Sequence, residues 1–409
     1  MKDIDLYQQI LGLTAPWFVS KVELDVAGGQ LDVFVAHEEN VPWSCPHCDY
    51  EVACYDHAPE RDWRHLDTCQ FKTFLHARIP RVKCPEHGVV QAAVPWAGKH
   101  SRFTLLMERM AIDVLQACQT VSAACEILRI SWDRAWHLMQ RAVHRGQSRK
   151  KPAIVPLVGV DEKAFRKGHS YMTVVCDIDW ATVEYVAEGR KKESLEGYFA
   201  SLTPEQLDGI EALAMDMWQP YVQATLEWVP LAGHKIVFDR FHVMKYVTEA
   251  VDKVRKEEHR ELLGLGEETL KKTKYLWLAS EENVPEKHRE RFEQLKRSDL
   301  RTARAWAIKE HLRHLWSYLS PGWARRFFKG WYAWAIRSRL KPIQDVAQML
   351  KRRIDNIVTH ATHFITNSVA EGLNSKIMAI KRRAGGFRNP ENFKTAIYFY
   401  CGGLDLYPQ

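Results

Sequence analysis

The sequence predicts a chain of several domains, α+β in its first part and α/β followed by helices in its second part. Three observations predict this layout. Residues 41–100 are rich in Cys, His, Pro and Trp, residues 157–188 alternate apolar and polar positions in β-branched runs, and residues 241–383 have helical periodicity. The length of 409 residues also exceeds one compact domain and predicts two to four.

Composition favours a protein that works in water and has a polyanionic partner. The hydrophobic fraction is 46%, the charged fraction is 27% and the formal net charge is +7. A small positive excess is weak evidence by itself, but it is concentrated after Glu371, where a solvated helix face is the alternative interpretation. The basic residues of that stretch are Lys376, Lys381, Arg382, Arg383, Arg388 and Lys394.

The sequence contains no run that predicts secretion or a membrane span. The first residues, MKDIDLYQQILGL, carry acids where a signal peptide needs an apolar run, and no uncharged stretch approaches the length of a membrane span. Nine cysteines, an odd number, fit metal-bound thiolates better than disulfides. We therefore expect no membrane partner and a cytoplasmic location, associated with the nucleoid if the partner is DNA.

Two Cys-containing pairs predict a structural zinc site. Cys45 and Cys48 are separated by two residues, as are Cys84 and His87, and a proline follows the first Cys of each pair. Two such turns can close a tetrahedral Zn²⁺ site, which would be structural because four protein ligands leave no open position. Unliganded cysteines are the alternative, and the fourth ligand has several rivals: Cys54, Cys69, His47, His57 and His65.

Residues 101–147 are predicted to be helical and contain a candidate helix-turn-helix. An apolar helix ends at a break over residues 129–131, and Ser131 can cap a second helix that begins at Trp132. That second helix would present Arg134 and His137, with Asp133, to a DNA groove. A helical hairpin inside a bundle remains an alternative.

The segment after the linker KKPAIVP predicts the element order β-β-β-α-β-α-β, which is found in ribonuclease-H-like cores. Asp161 ends one predicted strand, PLVGVD, and Asp216 ends another, EALAMD. Glu371 lies far downstream in a basic helix. Carboxylates from separate elements can hold two Mg²⁺ (or Mn²⁺) ions about 3.5–4 Å apart for phosphodiester chemistry. Each acid alone could be a turn, cap or surface residue, and the acids that compete for these roles are Glu162, Asp177, Asp179 and Asp208.

The motifs, taken in order, resemble the ISL-three-type bacterial insertion-sequence transposases over nearly the whole chain. They are CPHC…CPEHG, VGVDE, AMDMWQPY, IVFDRFHVMKYV, KKTKYLWL and FITNSVAEGLNSKIMAIKRRAGGFRN. The resemblance implies a DDE transposase with Asp161, Asp216 and Glu371 as catalytic metal ligands. It also implies that His242 contacts the scissile phosphate region or braces Asp216, with Asp239 supporting the site. His87 stands where a cysteine also serves in relatives, and zinc accepts either ligand.

The separation of about 155 residues between Asp216 and Glu371 exceeds a simple ribonuclease-H core and implies a helical insertion. Its Trp and Tyr residues fit helix packing, and stacking on an unpaired base near the cleavage site is the alternative. The predicted domains are a zinc-ribbon region (1–100), a helix-turn-helix (101–150), the first part of the core (151–248), an all-α insertion (249–345) and the second part of the core with the Glu and a basic tail (346–409).

The predicted function is cleavage at the ends of an insertion sequence and joining of the freed 3′-hydroxyls to target DNA. The terminal inverted repeats and the target are the double-stranded DNA partners, and recognition of two ends implies a homodimer or larger assembly on DNA. Lys376, Lys381, Arg382, Arg383 and Arg388 would hold DNA phosphates beside the site. Two rivals remain: a DNA-binding regulator with a decayed core, and a nuclease without strand transfer.

Overall fold

The computed structural model describes residues 3–166, 170–365 and 368–409. Its contacts divide the chain into two compact units. The first consists of the residues up to Lys150 together with Arg383–Gly385 and Leu404–Gln409, and the second consists of Lys151–Arg382 and Gly386–Gly403.

The first unit begins with a four-stranded sheet in the order β1-β2-β7-β6. β1 and β2 are antiparallel, whereas β2 and β7 are parallel, and inward-facing apolar residues such as Val33 and Leu75 are fully buried. The short N-terminal helix packs on β1. The elements are α1 (Asp3–Ile10), β1 (Trp17–Asp25), β2 (Gln30–His37), β6 (Arg61–Arg64) and β7 (Lys72–Ala77).

The first unit also contains a small Cys-rich module, whose strands come before and after β6 and β7 in sequence. It consists of the antiparallel pair β3-β4 and a three-stranded sheet in the order β5-β8-β9. Its strands are short because turns, prolines and left-handed residues such as Asp49 (φ 55°) interrupt them. Their bounds are β3 (Trp43–Ser44), β4 (Glu51–Val52), β5 (Cys54–His57), β8 (Pro80–Cys84) and β9 (Gly88–Gln91).

Three helices complete the first unit: α2 (Leu105–Ala117), α3 (Val121–Leu128) and α4 (Trp132–Arg149). Each begins with a hydroxyl cap. The side chains of Thr104, Thr120 and Ser131 accept backbone N–H bonds from the first turns of α2, α3 and α4. The predicted break at residues 129–131 and the predicted Ser131 cap are both confirmed.

The second unit is built on a five-stranded sheet in the order β12-β11-β10-β13-β14. β10, β11 and β12 form an antiparallel meander, and β13 and β14 join β10 in parallel. The predicted element order is confirmed. The bounds are β10 (Leu157–Arg166), β11 (Ser170–Asp177), β12 (Thr182–Glu188), α5 (Lys192–Phe199), α6 (Pro204–Asp208), β13 (Ala212–Met215), α7 (Gln219–Trp228), α8 (Ala232–Lys235) and β14 (Ile236–Phe238).

Helices and two 3₁₀ turns (Glu281–Asn283, Arg313–Ser317) make up the rest of this unit. Gly and Pro residues mark several helix ends: α9 ends at Gly264, α11 begins after Pro285, and Pro321 and Pro342 lie in the first turns of α13 and α14. The helices are α9 (Arg240–Gly264), α10 (Lys274–Leu278), α11 (Glu286–Arg297), α12 (Arg301–Leu312), α13 (Pro321–Arg337), α14 (Lys341–Lys351), α15 (Ile354–Val358), α16 (His360–His363), α17 (Ser368–Arg383) and α18 (Pro390–Cys401).

The two faces of the five-stranded sheet are covered differently. On one face Val158, Val160, Leu213 and Met215 belong to a large core that continues into the helices as far as Val358. The other face buries a small group, Ala212, Ala214, Val237 and Ile365. Small side chains there leave room for the helix that follows Ile365. In the described part of the chain, no helix is both long and apolar enough to cross a membrane.

Candidate metal centres and active site

The predicted zinc ligands converge in the first unit. Cys48 Sγ lies 3.6 Å from Cys84 Sγ, and His87 Nδ1 lies 3.6 Å from Cys84 Sγ and 3.7 Å from Cys45 Sγ. Ligands at about 2.3 Å from one tetrahedral zinc ion are about 3.7 Å apart, so these distances fit such an ion. Within the described residues, this is the one group of three or more His, Cys, Asp or Glu side chains whose ligand atoms all lie within 4.8 Å.

Local backbone geometry explains why the two turns meet. The Cys45 amide bonds Tyr50 O (2.9 Å) and the Asp49 amide bonds Cys45 O (3.0 Å), which closes the first turn. The second turn joins β8 to β9, where Cys84 pairs with Gly88, and the positive φ of Gly88 (68°) suits glycine. Cys45 and Cys84 are buried, as a structural centre requires.

The rival ligands have other partners. His65 is buried and bonds Thr104 Oγ1 at 2.9 Å, and His57 Nε2 lies 2.7 Å from His37 Nε2. Cys54 donates to the carbonyl of Asp56 at 3.2 Å, and Cys69 is exposed. His47 lies outside the group, with its ring 5.1 Å from the ring of His87.

The candidate helix-turn-helix presents a polar helix face. In α4 the side chains of Ala135, Leu138 and Met139 are buried, whereas Arg134 and His137 are exposed, as is Asp133. Trp132 is 46% exposed and stacks on Trp136 with the ring planes 6° apart. The predicted DNA-facing side chains therefore lie on the accessible side of the helix.

Asp161, Asp216 and Asp239 align across the five-stranded sheet. Gly159 pairs with Ala214 between β10 and β13, and Met215 pairs with Phe238 between β13 and β14. If the same register is continued, Asp161, Asp216 and Asp239 lie side by side on neighbouring strands or directly after them. Neighbouring strands in a sheet are about 4.8 Å apart. The three aspartates are thus neighbours in the strand register, at the point where the parallel pairing of β10, β13 and β14 ends.

One detail of the prediction is wrong: Asp161 does not end its strand. β10 continues to Arg166 because it pairs with β11 on its other side, from Asp161 opposite Val174 to Arg166 opposite Ser170. The parallel neighbour β13 stops at Met215. Asp161 therefore lies in mid-strand, at the point where the parallel pairing ends.

Hydrogen bonds orient the first carboxylate. Asp161 is 9% exposed, and its Oδ1 accepts the backbone N–H of Glu162 at 2.7 Å. Its Oδ2 accepts a bond from Nδ2 of Asn374, on α17, and lies 3.5 Å from Lys163 Nζ. Asn374 was missed by the sequence reasoning, although it lies three residues after Glu371 and so shares its helix face.

Asp216 and Asp239 are joined through His242. Asp216 Oδ1 accepts the N–H of Met217 (2.6 Å), and its Oδ2 lies 3.4 Å from His242 Nδ1. Burial raises the pKa of Asp239; His242 and the Phe241 amide oppose this rise, and the charges of Glu371 and Asp161 add to it. His242 thus lies beside Asp216, in one of the two positions expected for it, and its role remains a prediction.

Glu371 lies in the first turn of α17 and is exposed. Near it on the helix, Ser375 Oγ donates to the Glu371 carbonyl (3.0 Å), and Lys376 Nζ donates to Tyr400 O (2.7 Å). Glu371 and Asp239 line the same cavity, and the charge of Glu371 adds to the rise in the pKa of Asp239.

The predicted basic residues lie along α17 and the turn after it. Lys381 Nζ donates to Ala164 O on β10 (2.9 Å), so this lysine also ties the helix to the sheet. Arg382, Arg383 and Arg388 are exposed. Among the competing acids, Glu162 pairs with Arg190 (3.0 Å) and Asp177 Oδ1 accepts two backbone N–H bonds in the β11–β12 turn.

Similar proteins agree with these features. A model for a zinc finger of the transposases of IS204, IS1001, IS1096 and IS1165 matches residues 41–87, and a helix-turn-helix model of transposase family ISL3 matches residues 92–143. The transposase for insertion sequence element IS1557 of Mycobacterium tuberculosis is 28% identical over 96% of this chain and 94% of its own length. The transposase for IS1001 of Bordetella parapertussis is 28% identical over 85% of this chain and 86% of its own.

The third match spans the acid site. The ISL3 transposase model of the DDE type covers residues 158–397, more than half of the chain, and this range contains Asp161, Asp216, Asp239 and Glu371. With its zinc-finger region and its DNA-binding helix-turn-helix, the chain belongs to the ISL3 family of insertion-sequence transposases.

Proposed function

We propose that this transposase cleaves DNA at the ends of an insertion sequence by metal-dependent hydrolysis and joins the freed 3′-hydroxyls to target DNA. Asp161, Asp216 and Glu371 are the proposed ligands of two Mg²⁺ or Mn²⁺ ions. The observation that carries the proposal is the alignment of Asp161 with Asp216, where the parallel pairing of β10 with β13 ends. The bond from Asn374 also brings the Glu371 face of α17 to Asp161.

The donor set fits divalent cations that prefer oxygen ligands. The charges of Glu371 and Asp161 both act on Asp239, Asp216 lies between Asp161 and Asp239 in the strand register, and Lys163 lies beside Asp161. Asp239 Oδ2 and Asn374 Oδ1 are buried and lack a hydrogen-bond partner among the described residues. Buried oxygens without donors are costly, and a bound cation would satisfy them.

The residues around the ligands have separate proposed roles. Bound metal ions would activate the attacking oxygen and stabilise the leaving one. Asn374 holds Asp161 in one orientation, and His242 holds Asp216. Asp239 caps α9, the helix that carries His242, because its Oδ1 accepts the backbone N–H of Phe241 at 3.4 Å. Its negative charge would also attract the cations. Water attacks the phosphodiester and releases a 3′-hydroxyl, which then attacks a phosphodiester of the target.

The proposed domain layout assigns a ribonuclease-H-like core to residues 151–248 and 346–409, interrupted by an all-α insertion at 249–345. The strand order β12-β11-β10-β13-β14 supports the core, and residues 249–345 contain helices and 3₁₀ turns alone. The core and these helices share one hydrophobic cluster. The insertion would therefore pack directly against the core and would not be a separate domain on a linker.

DNA recognition is proposed for the first 150 residues, with one structural Zn²⁺ held by Cys45, Cys48, Cys84 and His87. Arg134 and His137 would contact the terminal inverted repeats. The basic side chains at the end of α17 and after it would hold DNA phosphates, and a homodimer or larger assembly would form on two element ends. The proposed location is the cytoplasm, at the nucleoid. The basic side chains are Lys376, Lys381, Arg382, Arg383 and Arg388.

A joining assay tests the proposal. A duplex carrying the element end is incubated with the protein and Mg²⁺ or Mn²⁺, and a pre-cleaved end is incubated with a target plasmid. We expect a nick that leaves a 3′-hydroxyl in the first reaction and covalent joining in the second. Hydrolysis without joining would instead favour a nuclease, and no metal-dependent cleavage would favour a DNA-binding regulator.

A further inference from the structure

A cavity of about 580 Å³ lies beside Glu371 in the second unit. Its volume falls in the range of about 300–1,000 Å³ that is typical of sites for organic ligands. One wall comes from the first two turns of α9 and the start of α17, and the opposite wall comes from the helical segment between Leu278 and Arg313. The cavity is therefore shared between the acid site and the predicted insertion.

An exposed aromatic ring stands at this cavity. Phe241 is 60% exposed, although it follows the buried Asp239 by only two residues, and its ring meets His242 edge-on with centroids 5.6 Å apart. Met244 and Leu278 are further apolar lining residues. A large aromatic face exposed in a charged site gains from covering by another flat, apolar surface.

Polar groups line the rest of the cavity, and its charged residues Glu282, Lys309, Glu310 and Arg313 are paired with one another. Thr248, Ser280 and Asn283 offer hydroxyl and amide groups, and Asn283 Nδ2 donates to Ser280 Oγ at 2.9 Å. Arg240 is held over the ring of Trp316 at 5.6 Å, which orients its guanidinium beside the cavity. A ring face, hydrogen-bonding groups and a fixed cation are together the elements that recognise a nucleotide.

We propose that this cavity receives one nucleobase, turned out of the duplex from the nucleotide next to the scissile phosphate and stacked on Phe241. The inference rests on the proposed function, because the cavity contains Glu371 and Asp239 in its wall. A phosphate held at Glu371 lies within one nucleotide of the cavity, whereas a base inside the helical stack cannot enter a concave site. The helical segment would thus supply half of a base pocket.

The test compares paired and unpaired DNA ends. Phe241→Ala should cut a fully paired element end about tenfold to a hundredfold more slowly than the wild type, because stacking no longer stabilises the extruded base. A substrate with a mismatch or an unpaired nucleotide at the extruded position should restore the rate, because extrusion then costs less. Phe241→Trp should retain activity on both substrates. Tyr275→Ala, which removes a 79% exposed ring outside the cavity, is the matched control.

A fluorescent base reports the extrusion directly. With 2-aminopurine placed at each position around the cut, in Ca²⁺ to slow cleavage, the wild type should raise the fluorescence at one position, and Phe241→Ala should abolish that rise while anisotropy shows equal binding. Equal cleavage by Phe241→Ala and wild type on paired DNA would overturn the inference and leave the proposed function intact. Equal losses on paired and unpaired DNA would also overturn it. A wild type that binds the end and never cuts it would overturn both.

Discussion

The amide of Asn374 donates a hydrogen bond to Oδ2 of Asp161, across 213 residues of sequence. Asn374 is 3% exposed, and its own Oδ1 has no partner among the described residues. Since a carboxylate can only accept, the amide nitrogen must face Asp161 and the oxygen must face away from it. Together with the bond from Lys381 to Ala164 O, this contact fixes how α17 lies on β10 and therefore where Glu371 can reach.

Asn374→Ala should weaken metal binding and slow cleavage. Residues that orient metal-binding carboxylates typically change metal affinity or activity by about tenfold to a hundredfold when replaced. We expect cleavage titrations to need about that much more Mn²⁺ for half-maximal rate, and calorimetry to show weaker Mn²⁺ binding.

Ser375→Ala is the control for this substitution, because Ser375 is exposed on α17 and bonds only the carbonyl of Glu371 among the contacts described here. If Asn374→Ala and Ser375→Ala had the same Mn²⁺ dependence as the wild type, Asn374 would have no role in positioning Asp161.

Asp239→Asn should stabilise the metal-free protein at neutral pH. Burial raises the pKa of Asp239 above its ordinary value of about 3.9, so the free energy of unfolding falls as the pH rises from about 4 through the raised pKa. The amide keeps the N-cap of α9 but removes the buried charge. We expect Tm to rise by about 2–4 °C at pH 7 and the gain to shrink towards pH 4.

Thermal unfolding without divalent metal, at pH 7 and at pH 4, measures this effect. A variant that is less stable than the wild type at pH 7, or equally stabilised at both pH values, would mean that the Asp239 charge is already compensated in the folded protein.

Local patterns predicted most of the fold. β-branched alternation located β11 and β12, and Ser131 located the start of α4. These features depend on neighbours in sequence. The end of β10 was predicted wrongly because its length depends on pairing with β11, which is a tertiary relationship that the run VGVDE does not contain.

The site was predictable in part for the same reason. The acids could be selected because they lie at the ends of predicted strands or in motifs. The structure adds the alignment of Asp161, Asp216 and Asp239 across neighbouring strands. Asn374 and Phe241 carry no such signal: an asparagine in a basic helix and a phenylalanine after a strand are ordinary. Their positions follow only from how α17 and α9 pack against the sheet.

Cys84→Ser should release the zinc and unfold the Cys-rich module. Structural zinc sites in small modules contribute about 10–16 kcal/mol of binding free energy, which such modules need to fold. We expect elemental analysis to find one zinc ion per wild-type chain and none in the variant, with a matching loss of element-end binding. Cys69→Ser, at an exposed cysteine outside the group, should retain one zinc. Retention of zinc by Cys84→Ser would point to a different ligand set.

Arg134→Ala should weaken binding to the element end more than binding to unrelated DNA. Loss of a base contact costs about 1–3 kcal/mol, whereas loss of a phosphate contact weakens both DNAs equally and lowers the salt slope by about one. Fluorescence anisotropy at several salt concentrations separates the two cases. Arg102→Ala, which removes an exposed arginine paired with Asp62, is the control. Unchanged affinity for both DNAs would show that α4 does not face DNA through Arg134.

The most direct measurement is strand cleavage of an element-end duplex by single carboxylate variants in Mg²⁺ or Mn²⁺. Asp161→Asn, Asp216→Asn and Glu371→Gln should each lose activity by at least on the order of a thousandfold while still binding the duplex. Glu162→Gln and Asp179→Asn, at neighbouring acids outside the aligned row, should remain within about tenfold of the wild type. Cleavage by any triad variant at the wild-type rate would contradict the proposed active site.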